Sequence, residues 1–374
     1  MKKQMLLIDG HGLAYRGFYA LPENLAAADG TPTNAILGFM NMLMKALEEW
    51  PSEGLGIFFD AKGPTKRHEL FENYKEGRKP TPDSFKVQLP LIVELCAGMG
   101  LPVFMREGVE ADDCIVSTAV AGARDGWGVK ILSADKDLFQ AINGDIAVIR
   151  PSRGVTDFNL YDEESFREKY GFEPRLMADY LALVGDAVDN IPGVPGIGDK
   201  TAKELVGKFG ALEGIYENLD SVAKARRGRL EEHRELAFRS RELIVPQPTA
   251  PVPFAELAVE EPRMEELLPL CRRLGLKKLL ERFTDGTEPA AGEEVQSVLD
   301  REIRAVDVSL DELLASDNLA IAPAVIMLGG FALADREGRT ANLDLSSAED
   351  VEKFRGWSEH GTLTLYGCRT LMSL

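Results

Sequence analysis

The sequence predicts an α/β protein with a mostly parallel sheet flanked by helices, followed by a smaller helical region. Short apolar runs alternate with helical patterns over about residues 1–175, which is typical of βαβ units. From about residue 176 the apolar positions follow a helical period instead. The chain of 374 residues is long enough for two or three domains.

The first region is expected to form a doubly wound domain over residues 1–175. Its apolar runs are either short and continuous, as in buried strands, or longer with one apolar face, as in helices. Strands are predicted at 5–8, 56–59, 101–105, 129–132 and 146–149, and helices at 35–50, 88–100 and 112–124.

The second region, residues 176–285, is expected to form a small helical domain. A turn rich in glycine and proline at 191–198 separates its first two helices. The predicted helices are 176–183, 201–209, 231–243 and 264–283. Residues 286–302 are expected to be a linker, and 303–374 part of a further α/β domain, with possible strands at 319–322, 324–328, 331–334 and 363–366.

Composition limits the classes of function. The net charge of −18 argues against a simple basic nucleic-acid-binding module, but a carboxylate cluster counts as negative charge until metal ions bind it. The four cysteines are scattered, which argues against a zinc site or a disulfide framework. There is no secretory signal and no apolar run of about 20 residues, so a cytoplasmic location away from membranes is expected.

Acids follow three of the predicted strands. Asp9, Asp60 and Asp135 each come after an apolar run, and Asp137 lies two residues further on. Ligands of parallel α/β sheets bind beyond the carboxyl ends of the strands, and neighbouring strands lie about 4.8 Å apart. These acids are therefore expected to converge, although each alone is also explained as a helix cap or turn residue.

Two further groups of acids lie at predicted helix ends. Glu110, Asp112 and Asp113 begin a helix, and Asp186 and Asp189 open the turn before the second helix of the helical region. Taken alone, the first group complements a helix dipole and the second forms a turn. The coincidence of all nine acids at strand and helix ends favours a metal site.

Crowded carboxylates repel one another, and a hard divalent cation relieves this repulsion. Mg²⁺ prefers oxygen ligands and keeps several waters, so it tolerates an outer shell of further acids. Two such ions about 3.5–4 Å apart can hold the attacking and leaving oxygens of a phosphodiester. The pattern therefore predicts two Mg²⁺ ions, for which Mn²⁺ could substitute.

Six motifs resemble, in the same order, the 5′ nuclease domain of bacterial DNA polymerase I, which belongs to the flap-endonuclease family. The resemblance covers about residues 4–285. The motifs are LIDGHGLAYR at 7–16, FDAKGPTKRHE at 59–69, YKEGR at 74–78, EADD at 110–113, ADKD at 134–137 and GDAVDNIPGVPGIGDKTA at 185–202.

The resemblance implies a PIN-like, flap-nuclease type of fold in which all nine acids belong to the metal site. One ion would be held mainly by the strand-end aspartates and the 110–113 group, while Asp186 and Asp189 would serve the second ion, partly through water. It also implies a 5′–3′ exonuclease and 5′-flap endonuclease acting in replication and repair. Its partners would be DNA with 5′ ends, nicks or flaps and RNA primers on DNA, and the protein would be a monomer.

Three residues of the 74–78 motif are expected to assist the reaction. Lys75 and Arg78 match basic residues of the family's arch region and would stabilise charge on the phosphate, while Tyr74 could stack on an unpaired base. A solvated basic loop is the alternative. Arg16 is a further DNA-binding candidate, with an ordinary surface cation as its alternative.

The 191–198 turn resembles the family's helix–three-turn–helix element, a relative of the helix-hairpin-helix, which holds duplex DNA without reading sequence. Glycines allow close approach to the backbone, and a helix N-terminus presents free N–H groups. The DNA-binding candidates are Gly193, Gly196, Gly198, Lys200, Thr201 and Lys203, with a monovalent cation at the turn; a purely structural turn is the alternative. Seven lysines and arginines at 222–241 either follow phosphates or form a solvated helix face.

Residues 303–374 weakly resemble the start of the proofreading-type exonuclease domain that follows in the family. The acidic strand motif of such domains is missing around 325–333, so this segment is expected to be inactive. The end of the sequence favours a fragment of a polymerase over a nuclease that stands alone. Two rival classes stay open: a DNA-binding module without catalysis, and a small-molecule phosphatase that uses strand-end aspartates.

Overall fold

A six-stranded sheet organises the first part of the chain. The strands lie in the order β3-β2-β1-β4-β5-β6, and all neighbours are parallel except β5 and β6. This confirms the predicted mostly parallel sheet. The strands are β1 (Gln4–Asp9), β2 (Gly54–Phe58), β3 (Val103–Phe104), β4 (Gly128–Leu132), β5 (Ile146–Pro151) and β6 (Phe158–Tyr161).

The structure is a computed structural model that describes residues 2–61, 63, 65, 67, 80–152, 154–155, 157–186 and 190–284, together with the backbone of strands at 306–307, 318–321, 330–335, 339–344 and 362–365. The chain divides into two units, Met1–Pro289 and Ala290–Leu374. No helix within these described ranges combines the length and apolarity needed to cross a bilayer.

Helices cover both faces of the six-stranded sheet. Successive side chains of a strand point to opposite faces. Met5 and Leu7 therefore pack in one apolar cluster with the helix Ala111–Arg124, while Leu6 and Ile8 pack in a second with the helices Gly10–Ala20, Asn34–Glu49 and Asp83–Gly98. The helices are α1 (Gly10–Ala20), α2 (Asn34–Glu49), α3 (Asp83–Gly98), α4 (Ala111–Arg124) and α5 (Glu163–Tyr170), with a 3₁₀ turn at Asp137–Ala141. The expected flanking of the sheet by helices is confirmed.

The helical part packs around the largely buried helix α6. Its helices are α6 (Met177–Val184), α7 (Asp199–Phe209), α8 (Leu212–Glu217), α9 (Lys224–Glu232), α10 (Arg234–Ile244), α11 (Met264–Arg273) and α12 (Lys277–Phe283). Short 3₁₀ turns lie at Pro174–Leu176, Leu219–Ser221 and Phe254–Leu257.

The prediction of one continuous helix at 264–283 is wrong. Gly275 has a φ of 67°, a left-handed conformation that glycine adopts without strain. The amide of Leu276 donates to the Cys271 carbonyl at 2.9 Å, and that of Gly275 to the Arg272 carbonyl at 3.2 Å. These bonds close the end of α11 in the manner of a Schellman motif, and a separate helix follows.

The second unit contains five described strands in the order β11-β8-β9-β10-β7. β9 is antiparallel to β8 and to β10, whereas β11 and β7 pair in parallel with β8 and β10 respectively. The strands are β7 (Val306–Asp307), β8 (Asn318–Ile321), β9 (Gly330–Asp335), β10 (Arg339–Asp344) and β11 (Thr362–Leu365). Three of the four strands predicted here are therefore confirmed, and the one predicted at 324–328 lies outside the described residues.

Candidate functional site

Three of the predicted acids lie at the same edge of the six-stranded sheet. Asp9 ends β1, whose two neighbours are β2 and β4. Asp60 follows β2 by two residues and Asp135 follows β4 by three. Because these strands are parallel and in register, their carboxyl ends bring the three acids together.

Asp9 is the acid most affected by this crowding. Its Oδ1 accepts a hydrogen bond from the Gly12 amide at 2.8 Å and so caps α1, while its Oδ2 accepts one from the Ser133 hydroxyl at 2.7 Å. Burial raises the pKa of Asp9 to about 6 and outweighs the two hydrogen bonds, which lower it; the charges of Asp60 and Asp135 make smaller contributions that also raise it. Asp9 therefore caps a helix, which was the alternative explanation for this acid, and it also lies beside the other acids.

The 133–137 segment is held by its own polar groups. The Ser133 hydroxyl oxygen accepts a hydrogen bond from the Asp135 amide at 2.9 Å, and the Asp135 carboxylate accepts one from the Asp137 amide at 2.9 Å. Arg150, on β5, donates from Nε to the Ala134 carbonyl at 3.0 Å. These bonds fix the position of the Asp135 carboxylate beside Asp9.

The acids at the start of α4 are joined to the sheet edge through Asp60. The Ala111 amide donates to the Asp60 carboxylate at 2.8 Å. Glu110 and Asp113 are buried, each with 4 % of its surface exposed, and Asp112 accepts a hydrogen bond from the Asp113 amide at 3.0 Å. The predicted second group of acids therefore lies next to the first.

Arg67 is a site residue that the sequence argument missed. Its Nη1 and Nη2 donate to the two carboxylate oxygens of Asp113 at 2.9 and 2.8 Å, and Nη1 lies 3.0 Å from the Glu110 carboxylate. The guanidinium also donates to the Leu243 and Val245 carbonyls at the end of α10, at 2.9 and 3.3 Å. Arg67 lies in the 59–69 motif, but that motif does not reveal these contacts, because the partners of Arg67 lie far away in the chain.

Asp186 lies at the start of the turn that leads to α7. It is buried, exchanges two backbone hydrogen bonds with Ile191 at 2.9 and 2.8 Å, and its carboxylate lies 3.6 Å from the Lys136 ammonium. Lys136 stands between Asp135 and Asp137, so Asp186 faces the same segment as the sheet-edge acids. Asp189 lies outside the described residues.

The described acids lie near one another but are not arranged as the ligands of one metal ion. Within the described ranges, no three His, Cys, Asp or Glu side chains are placed so that they could hold one metal ion. Protein donors occupy several of the carboxylates instead: Ser133 and Gly12 on Asp9, and Arg67 on Glu110 and Asp113. The oxygen-only donor set still suits a hard cation such as Mg²⁺.

The glycine-rich turn before α7 is packed closely against α6. A Cβ on Gly193 would lie 2.4 Å from the Val184 carbonyl carbon and oxygen. Gly196 has a φ of 80°, whereas a Cβ on Gly198 would meet no atom within 4 Å. The Ser240 hydroxyl donates to the Pro192 carbonyl at 2.6 Å.

Helix α7 begins directly after this turn. Its N-cap residue is Gly198, which has no side chain to accept hydrogen bonds from the first amides of the helix. Lys200 is exposed and Thr201 half-buried on its first turn. Lys203 lies 3.0 Å from the Asp199 carboxylate, which also accepts a hydrogen bond from the Tyr180 hydroxyl at 2.5 Å. These two bonds hold the pKa of Asp199 below its usual range, so the acid at the helix start is ionised and partnered.

The remaining candidates are divided between described and undescribed residues. Arg16 donates to the Ser152 carbonyl at the end of β5, at 2.9 Å. Tyr74, Lys75 and Arg78 lie outside the described residues.

Comparison with protein families gives two matches that together span residues 4–265. The family described as "5'-3' exonuclease, N-terminal resolvase-like domain" matches residues 4–171. The family described as "5'-3' exonuclease, C-terminal SAM fold" matches residues 172–265. The boundary between the two matches follows the change from the α/β part to the helical part.

Related proteins include DNA polymerase I of Bacillus caldotenax, 36% identical over 349 residues, which cover 91% of this chain and 39% of the relative. The thermostable DNA polymerase I of Thermus thermophilus is 40% identical over 294 residues, covering 78% of this chain and 34% of the relative. The chain thus matches two fifths or less of the length of these relatives.

Solved structures share the fold. A bacteriophage T5 5′-exonuclease with bound zinc ions has a TM-score of 0.54 and 19% identity, covering 76% of this chain and 98% of that protein. A bacteriophage T5 flap endonuclease in a pseudo-enzyme–product complex with DNA and metal ions has a TM-score of 0.54 and 20% identity, covering 76% and 97%.

Proposed function

The chain belongs to the 5′–3′ exonuclease family, and from this premise we propose that it hydrolyses phosphodiester bonds at the 5′ ends and 5′ flaps of DNA and of RNA primers on DNA. The activity would require Mg²⁺ and would serve replication and repair. The DNA polymerase I relatives and the DNA-bound T5 flap endonuclease support this substrate class.

One observation carries the proposal: acids from distant parts of the sequence meet at the carboxyl edge of the sheet. Asp9, Asp60 and Asp135 follow neighbouring parallel strands, and burial, with smaller contributions from the charges of Asp60 and Asp135, raises the pKa of Asp9. Such crowding is unfavourable while the carboxylates are ionised. A divalent cation would relieve it, and the donor chemistry of these oxygen-bearing side chains suits such an ion.

We propose that Asp9, Asp60, Glu110 and Asp135 surround one Mg²⁺ and serve it directly or through water, with Asp112, Asp113 and Asp137 further out. Asp186 and Asp189 would hold a second, partly through water. Bound there, the ions would supply Lewis-acid polarisation of the scissile phosphate and lower the pKa of the attacking water.

The chain's own residues would orient this site and stabilise the developing charge. Ser133 and the Gly12 amide fix the Asp9 carboxylate, and Arg67 fixes Glu110 and Asp113. Lys75 and Arg78 would stabilise negative charge on the phosphate in the transition state, and Tyr74 would stack on an unpaired base. The roles of these last three rest on the motif at 74–78.

The turn before α7 would hold the duplex backbone. Gly198 leaves space for a phosphate to approach the main chain, whereas Gly193 and Gly196 permit the close packing against Val184 and Arg229 that shapes the turn. The N–H groups at the start of α7 are suited to bind the phosphate. Lys200 is exposed for a further phosphate contact. Such contacts carry no sequence information, which suits a nuclease that acts on the shape of DNA ends.

A flap-cleavage assay tests the proposal. A 5′-labelled flap substrate is incubated with wild type, Asp135→Ala and Asp135→Asn, with Mg²⁺ or with EDTA. We expect Mg²⁺-dependent cleavage by wild type and a loss in kcat of at least about 10³-fold in both variants, equivalent to about 4 kcal/mol of transition-state stabilisation, with binding of the substrate kept. The asparagine variant retains an acceptor for the Asp137 amide, so its fold is preserved.

Asp125→Asn is the matched control, because this exposed aspartate caps the opposite end of α4. It is expected to cut within about twofold of wild type. A rate in Asp135→Asn equal to that of the control would overturn the proposed centre. Hydrolysis of p-nitrophenyl phosphate without cutting of the flap would instead favour the small-molecule phosphatase, and binding without cutting by wild type would favour the DNA-binding module.

A further inference from the structure

Arg229, on α9, lies against the glycine-rich turn. Its Nη1 donates to the Pro195 carbonyl at 3.1 Å. A Cβ on Gly196 would lie 2.2 Å from Arg229 Nη1 and 2.6 Å from its Cζ. The guanidinium therefore packs directly on the main chain of this glycine, at a point where any side chain would displace it.

Arg229 differs from the two arginines before it on α9. Arg226 donates to Glu204 at 2.9 Å, and Arg227 donates to Glu231 at 2.8 Å and to Asp220. Across the part of the chain that the structure describes, Arg229 forms no ion pair with a carboxylate. Three of the seven cations at 222–241, namely Arg226, Arg227 and Arg241, are thus paired with carboxylates, while Arg229 brings an uncompensated charge to the turn.

The turn is anchored from two helices. The Ser240 hydroxyl, on α10, donates a hydrogen bond to the Pro192 carbonyl, and the Arg229 guanidinium donates one to the Pro195 carbonyl three residues later. With these carbonyls held from the helical side, the conformation of the chain entering α7 is set before any ligand arrives. A guanidinium has five N–H donors in a rigid plane, and the bond to Pro195 uses one of them.

We infer that Arg229 is a positioning residue for DNA binding. It holds the Pro195–Gly196 peptide in the conformation that presents the start of α7 to a DNA phosphate, and it keeps a positive charge beside that point. Fixing a binding loop in advance removes the entropy of ordering it on binding. The inference rests on the proposed function, because it takes DNA as the ligand of this turn.

Steady-state cleavage of the flap substrate by Arg229→Ala, Arg229→Lys and Arg227→Ala tests the inference. We expect Arg229→Ala to raise KM by about tenfold and to leave kcat within about twofold. The KM of Arg229→Lys should lie between those of wild type and Arg229→Ala, because lysine keeps the charge but lacks the planar guanidinium. Arg227→Ala should resemble wild type, and the thermal midpoint of Arg229→Ala should be unchanged because the side chain is exposed.

A double-mutant cycle with Gly196→Ala separates positioning from a general loss of charge. The new Cβ clashes with the guanidinium, so removing Arg229 should relieve part of the Gly196→Ala defect. The rise in KM of the double variant should then be smaller than the product of the two single rises. Independent effects, or an Arg229→Ala variant that matches Arg227→Ala, would overturn the inference. Failure of wild type to cut the flap would refute the proposed function instead.

Discussion

The carboxylate edge of the sheet and the glycine-rich turn before α7 are built on opposite principles. At the sheet edge, charges of one sign are forced together by parallel strands, and burial raises the pKa of Asp9 to about 6. At the turn, the main chain would contact the DNA under the proposed function, and Asp199 beside it is already paired with Lys203 and Tyr180.

This contrast predicts different consequences of mutation. Changes at the sheet edge should mainly alter kcat, and removing a charge there can stabilise the fold while it abolishes activity. Functional sites often keep such unfavourable interactions. Changes at the turn should mainly alter KM, because the turn would bind DNA without taking part in the chemistry.

The largest expected effect lies at Arg67, which compensates two acids of the sheet edge and also holds the end of α10. Arg67→Met would leave Glu110 and Asp113 buried without a counter-charge, which typically destabilises by about 3–5 kcal/mol. Urea unfolding in EDTA measures this loss. If Arg67 acts through these charges, Arg67→Met combined with Asp113→Asn should recover part of the stability.

Arg282→Met is the matched control, because Arg282 forms an exposed pair with Glu48. It should change the free energy of unfolding by less than about 1 kcal/mol. A loss in Arg67→Met as small as in the control would show that the sheet edge does not depend on this arginine for compensation.

The sequence predicted those parts of the site that depend on local patterns and missed those that depend on distant partners. The positions of Asp9, Asp60 and Asp135 could be predicted because an apolar strand followed by an acid is a local pattern. Arg67 could not, since its partners are 43, 46 and 176 residues away. Helix α1 was also not predicted: it begins with Gly10-His11-Gly12, and glycines disfavour helices, but the Asp9 cap and packing against the sheet outweigh that preference.

The pH dependence of stability gives the next prediction. The pKa of Asp9 is raised from 3.8 to about 6, so the folded chain binds this proton more tightly than the unfolded chain. The stability that protonated Asp9 contributes to the fold is therefore fully present below pH 3.8, falls between pH 3.8 and about 6, and is absent above about pH 6. Asp9→Asn lacks the charge and should be more stable than wild type at pH 8, by at most about 3 kcal/mol.

At pH 4 the difference between Asp9→Asn and wild type should nearly vanish. Urea unfolding at both values of pH, in EDTA, measures it, and the flap assay should show no cleavage by this variant. Asp125→Asn, at the exposed end of α4, should change the free energy of unfolding by less than about 0.5 kcal/mol. An Asp9→Asn variant less stable than wild type at pH 8 would mean that the buried charge of Asp9 does not lower the stability of the fold.

The smallest expected effect compares two glycines of the same turn. Gly193→Ala would place a Cβ 2.4 Å from the main chain of Val184, and since backbone cannot move aside cheaply, about 1–3 kcal/mol of stability should be lost. Gly198→Ala meets no atom within 4 Å and should lose less than about 1 kcal/mol. Its methyl group would nevertheless lie on the path that we propose for a DNA phosphate approaching α7, so KM for the flap substrate should rise severalfold with kcat kept. Thermal unfolding and steady-state kinetics of the two variants measure both effects, and a Gly198→Ala variant with unchanged KM would leave the turn as a structural element alone.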